Sequence, residues 1–183
     1  MVRMATPVSS LFAEGQQLLE IRRLSDCLEG RDHTCQLAIE DQRLFHFEMS
    51  IVNAWGEAER AWAKGVIEGR PALEGVSFHM ASCCSHPVIE SGVFQPGGKA
   101  FTRVELLEHA RCNILWLKGV NKGRAVRIAV ENNNYFLTPA YAHVAEPSFI
   151  ASVVRDNGIH FLFDVAHAHI SAHNMRMSYD TYV

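Results

Sequence analysis

From Leu44 to the C-terminus, short apolar runs of strand character alternate with amphipathic helical patterns. That alternation confines the chain to a parallel sheet built from right-handed βαβ crossovers. Leu44 to Val52 (LFHFEMSIV), Gly75 to Met80, Ala125 to Val130 and His160 to Val165 (HFLFDV) read as strands. Between them a helical pattern opens near Asn53, with Ala54, Ala58, Ala61 and Trp62 on one face. A second helix runs from Arg103 to Lys118, capped by Thr102, with Leu106, Leu107, Ala110, Ile114 and Leu117 as its apolar stripe. A third begins at Glu146-Pro147 and ends at Asn157-Gly158. Pro87, Gly92, Pro96, Gly97 and Gly98 mark a long loop between the second strand and the Arg103 helix. Before residue 44, Met4 to Val8 is a candidate strand and Phe12 to Leu24 a candidate helix, while Arg31 to Gln42 fits either state. The expected architecture is α/β, a single domain over residues 1–183 with about five parallel strands.

Charge and composition remove several function classes. The 17 basic and 20 acidic residues nearly balance, to a formal net charge of -3, so a nonspecific grip on phosphate backbones or an anionic membrane is not expected. No apolar run approaches a membrane span and Met1 to Ala13 lacks a signal-peptide pattern, so the expected address is the cytoplasm. The cysteines Cys27, Cys35, Cys83, Cys84 and Cys112 show no CxxC spacing and read as reduced thiols. The Gly97-Gly98-Lys99 run is too short for a phosphate loop, and GxxxxGK[ST], GxGxxG and GxSxG patterns are absent.

Where the polar residues fall is more informative. His79 in VSFHMAS, Glu131 in RIAVENNNY and Asp164 in FLFDVAHAH each end an apolar strand, at the carboxyl edge where α/β folds place their sites. Two carboxylates converging there repel each other and are costly to bury unless a cation joins them. Asp164 and His167, three apart, let a strand-end carboxylate and a following loop imidazole turn towards one point. His169 and His173 are further ligand or supporting candidates. His33, His109 and His143 read as ordinary surface or hydrogen-bonded histidines, and Cys83 and Cys84 as buried thiols. A structural alternative for Glu131 is an ion pair with Arg103, Arg127 or another cation.

FLFDVAHAHISAHN, preceded by VENNNYF, resembles the xylose-isomerase-like TIM-barrel superfamily, and within it the multinuclear non-haem iron oxidases that modify peptides during natural-product biosynthesis. The apurinic endonuclease branch is a more distant likeness. The resemblance covers roughly residues 44–183 and is strongest from Arg127 to Asn174. It implies that Glu131, Asp164 and His167 are metal ligands, that His79 ends an earlier barrel strand in the same role, and that His46 in LFHFEMS is a further match. It also implies a divalent metal, iron first and zinc or manganese as alternatives, and a peptide or small-metabolite substrate. A metal-dependent isomerase or hydrolase of the same superfamily, or an inactive scaffold, are the competing functions. Two departures stand out: the oxidases usually carry asparagine where this chain has His167, and a full barrel takes ~250 residues. A partial barrel exposes a sheet edge, which a second copy of the chain is expected to cover, a homodimer, unless the chain is a fragment.

Overall fold

A computed structural model describes residues 5–9, 15–34 and 41–183. The main sheet has six strands rather than five, all parallel, in the order β1-β2-β3-β4-β7-β8. They are β1 (Ala5–Pro7), β2 (Cys27–Arg31), β3 (Gln42–Ser50), β4 (Gly75–His79), β7 (Arg127–Glu131) and β8 (His160–Leu162). The helices are α1 (Gly15–Leu24), α2 (Glu57–Glu68), α3 (Arg103–Val120), α4 (Pro147–Asn157), α5 (Val165–Asn174) and α6 (Tyr179–Tyr182). The strand missing from the sequence reading is β2, whose CLEGR carries a glycine and two charges in five residues. It forms because β1 and β3 flank it on both sides, tertiary pairing overriding a weak local preference. The loop marked by Pro87 and Gly98 also contains an antiparallel hairpin, β5 (Val88–Glu90) and β6 (Val93–Gln95), turned by Ser91 and Gly92, both at positive φ.

Alternation along the strands separates two faces. Phe45, Phe47, Val76, Phe78, Ile128 and Val130 are buried on the face covered by helices, with Phe47 and Phe78 stacked at 4.7 Å. The opposite face carries Glu29, Arg31, Leu44, His46, Ser77, Ala129 and Glu131, aligned by the ladder pairings Arg31 with His46, His46 with Ser77 and Ser77 with Ala129. In a closed barrel this face lines the interior. Here the strands stop at β8, whose residues are all exposed, and the lower part of the inner face opens as a cavity of about 430 Å³ bordered by Leu44, Gly75, Ala129 and Leu162.

The helices confirm much of the sequence reading and correct its phase. Thr102 caps α3, accepting the Glu105 N–H at 3.3 Å while the Glu105 carboxylate accepts the Thr102 N–H at 2.8 Å. Leu106, Ala110, Ile114 and Leu117 are buried, but Leu107 is only half-buried. In α2 the expected face is wrong. The helix starts at Glu57, and Ala63, Val66 and Ile67 face the core while Trp62 is 39% exposed. The shift arises because Trp55 is drawn into the core ahead of the helix, its indole N–H donating to the Ser50 carbonyl at 2.8 Å.

Buried Asn113 on α3 donates to the carbonyls of Ile51 and Asn53 at 2.9 and 2.7 Å, tying that helix to the chain leaving β3. Asn113→Leu strands both acceptors, an expected loss of about 2–4 kcal/mol that urea unfolding measures. Among the described residues no helix is long and apolar enough to cross a membrane.

Candidate metal centre

Two three-residue groups at the carboxyl ends of the strands place possible ligand atoms within 4.8 Å of one another: His46, His79 and Glu131, and Glu131, Asp164 and His167. Glu131 belongs to both. The side chains arrive from three strands and one helix start: His46 from β3, His79 from the end of β4, Glu131 from the end of β7, and Asp164 and His167 from the N-cap and first turn of α5. In the ladder, His79 lies directly opposite Glu131. The imidazole Nε2 atoms of His46 and His79 face each other at 2.8 Å, and Glu131 Oε2 lies 3.2 Å from His46 Nε2 and 3.4 Å from His79 Nδ1.

Asp164 is not the free strand-end carboxylate that the sequence suggests, nor is His167 in a loop. The strand stops at Leu162, and Asp164 caps α5, its Oδ1 accepting the His167 backbone N–H at 2.8 Å. The cap fixes the spacing of the two side chains, since N-cap and third helical residue lie on the same turn. His167 Nδ1 meets the Asn132 carbonyl at 2.8 Å. A carbonyl only accepts, so Nδ1 carries the proton and Nε2 keeps the lone pair that can bind an ion.

Burial controls the protonation of the group. Burial first, then the neighbouring Asp164 carboxylate, pushes the Glu131 carboxyl up to about 7. Burial, followed by the proximity of His79, holds His46 down at about 3, and burial with His167 holds His79 at about 4. At neutral pH both imidazoles are therefore uncharged, and their contacts with Glu131 are not ion pairs. Neutral imidazole and carboxylate are the forms that ligate metals. His79 Nδ1 is buried without a hydrogen-bond partner, and the buried Glu131 carboxyl faces the Asp164 carboxylate. A divalent cation would relieve both strains, so the donor set of three imidazoles and two carboxylates fits one.

Neither named arginine pairs with Glu131: Arg103 sits 3.9 Å from Glu146, and Arg127 lies 3.7 Å from Glu74, while the charge of Arg31 acts on Glu131. Of the six sequence-derived candidates, the structure brings together His46, His79, Glu131, Asp164 and His167, and leaves His169 apart. His169 is exposed and stacks on Tyr179 at 4.0 Å, because two residues along a helix is more than half a turn from His167. His173 is also exposed. His33 and His143 contact surface carboxylates, and His109 lies 3.2 Å from the Val52 carbonyl. Cys83 and Cys84 are buried with sulfurs 3.9 Å apart, and burial pushes the Cys83 thiol up to about 11, away from the ligand form. Cys35 lies outside the described residues.

Beside His46 and His79 opens a cavity of about 730 Å³, walled by Trp55, Phe94 and Phe101 and carrying Arg31 and Glu48. Sequence reading missed both charged groups. Glu48 had a usable signal, because the spacing His46-x-Glu48 on one strand puts both on the inner face. Arg31 had none, lying at the end of the unrecognised β2. It is held by Glu29, whose Oε1 accepts its Nε–H at 3.0 Å.

The model of the RiPP precursor modification enzyme MbnB/TglH/ChrH family matches residues 103–183, which include Glu131, Asp164 and His167. No curated protein matches the chain. Among solved structures, 3-keto-D-glucoside 4-epimerase YcjR from E. coli superposes with a TM-score of 0.63 at 10% identity, over 97% of this chain and 76% of that one. L-ribulose 3-epimerase gives 0.56 at 14% identity, and the chain spans 63% of its length against 93% of its own. D-psicose 3-epimerase gives 0.57 at 13%, over 96% of this chain and 69% of that one. These likenesses show an α/β, TIM-barrel-like fold, and the two ligand groups form a possible metal site within it. The chain has a partial, xylose-isomerase-like TIM-barrel fold and resembles the MbnB/TglH/ChrH family over its C-terminal part.

Proposed function

We propose that the protein is a metal-dependent enzyme, non-haem iron oxidase-like, in which His46, His79, Glu131, Asp164 and His167 hold two divalent ions and a peptide or small metabolite occupies the adjoining cavity. The observation that carries this reading is the sharing of Glu131 between two ligand groups drawn from three strands and the start of α5. A carboxylate has two oxygens, so one Glu131 can serve two neighbouring ions. Bound ions would supply Lewis acidity or, if they are iron, electron transfer to oxygen. The protein's own contribution is to hold the imidazoles neutral and to line the entrance with Trp55, Phe94 and Phe101, which exclude water from one side of a substrate. Arg31 and Glu48 offer a cation and an anion at the same entrance.

A zinc- or manganese-dependent isomerase is the second reading, favoured by the three sugar epimerases that share the fold. Elemental analysis of protein purified without chelator separates the two. Iron at two ions per chain is the expected result, zinc or manganese at the same ratio favours the isomerase, and a metal-free protein that takes up none of the three contradicts both. A nucleic-acid substrate finds no support in a net charge of -3, and intact DNA after incubation with an abasic-site duplex is the expected outcome. In the cytoplasm, a second copy of the chain is proposed to cover β8, where Phe161, Leu162 and Phe163 are 44%, 36% and 38% exposed. Light scattering should then give twice the chain mass, and a stable monomer would contradict this arrangement.

A further inference from the structure

We infer that Asn132 is the positioning residue of the Glu131–Asp164–His167 ion position, its side-chain amide acting as a substitute strand neighbour for the backbone of Asp164. The inference rests on the metal reading above and adds to it a residue that no ligand list contains. The β7–β8 ladder ends with Glu131 opposite Leu162, so Phe163 and Asp164 run beyond regular strand pairing. Asn132 continues the ladder with its side chain. Its Oδ1 accepts the Asp164 N–H at 2.7 Å and its Nδ2 donates to the Asp164 carbonyl at 2.9 Å, so one amide satisfies both backbone groups of one residue.

The same residue's backbone carbonyl accepts the Nδ1–H of His167 at 2.8 Å. Asn132 thus fixes the backbone of one ligand and the tautomer of another, while its chain neighbour Glu131 is the third. Its side chain is 1% exposed, so water cannot replace these bonds. The chemistry demands an amide. A carboxylate at this position would accept the Asp164 N–H but face the Asp164 carbonyl with a second acceptor, and alanine would leave the Asp164 N–H without this partner and its carbonyl with only the Ala168 N–H of α5. Asn133, next along, does a different job: its side chain donates to the Ala81 carbonyl at 3.1 Å and accepts the Asn134 N–H at 2.8 Å.

Cobalt(II) is the probe, because its visible absorption reports ligand geometry, and the test compares the metal-free wild type with Asn132→Ala, the near-isosteric Asn132→Asp, and Asn133→Ala. Wild type should bind two cobalt ions per chain. Both Asn132 variants should retain the ion at His46, His79 and Glu131 but bind the other about 10- to 100-fold more weakly, with loss of its absorption component. Asn133→Ala should melt lower yet keep both. Asn132 variants that melt lower but bind two cobalt ions with wild-type affinities and spectrum would reduce Asn132 to a structural residue and overturn the inference alone. A wild type that takes up no cobalt would overturn the inference together with the proposed function.

Discussion

Glu131→Gln is expected to leave the protein without either ion, whereas His46→Ala and Asp164→Ala each leave it with one. The asymmetry follows from geometry: Glu131 is the member common to both ligand groups. Glutamine keeps the volume and can still hydrogen-bond to the imidazoles, so a loss of metal is not a loss of fold. Affinity should fall by at least about 100-fold, the scale on which removal of a direct ligand exceeds the 10- to 100-fold effects of outer-shell partners. Melting temperature gives an independent check. Burial pushes the Glu131 carboxyl up to about 7, so above that pH the metal-free folded protein carries a buried carboxylate that costs stability relative to the unfolded chain. Without metal at pH 8, Glu131→Gln should therefore be at least as stable as wild type, and with metal less stable. His109→Ala, outside the group, should leave metal content unchanged.

Metal affinity is expected to fall about 50-fold between pH 7 and pH 5, with one proton taken up at Glu131 when the ions it shares are released. Glu131 sets that slope, since its carboxyl at about 7 must lose a proton to ligate, is half protonated at that pH and is almost wholly protonated two units below it. His46 and His79, at about 3 and about 4, stay neutral over the whole interval and do not compete. The metal-free protein should show a different profile. The two depressed imidazoles make the unfolded chain bind more protons between about 4 and 6.5, which raises stability as pH rises through that window. The raised Glu131 acts in the opposite sense between 4.5 and about 7. Two histidines outweigh one carboxyl, so net stability should increase from pH 4.5 and level off near pH 7. Chemical denaturation across this range measures it, and a monotonic fall from pH 4.5 would contradict the neutral-imidazole arrangement.

The fold was legible where periodicity was strong. The stripe on α3, with its Thr102 cap, and the inner-outer alternation of β3, β4 and β7 are direct consequences of the 3.6- and 2-residue repeats. β2 was not, because CLEGR becomes a strand only through pairing on both edges. The candidate ligands His46, His79, Glu131 and Asp164 could be found as polar residues at or near the ends of apolar runs, and His167 by its spacing from Asp164. His169 was misjudged for a reason of phase: treated as part of a loop, every histidine after Asp164 is a candidate, but on α5 only the one on the capping turn faces the sheet. Asn132 and Arg31 were invisible as functional residues. Asparagine in ENNNY looks like a turn former, and only the hydrogen bonds to Asp164 distinguish it from its neighbours.

The most direct measurement is anomalous X-ray diffraction from crystals of the chain soaked in a divalent metal, recorded on either side of that metal's absorption edge. Two peaks are predicted, one among His46, His79 and Glu131 and one among Glu131, Asp164 and His167, with Glu131 touching both. Full occupancy of the crystals by metal bound elsewhere, with no peak within bonding distance of Glu131, would contradict the account.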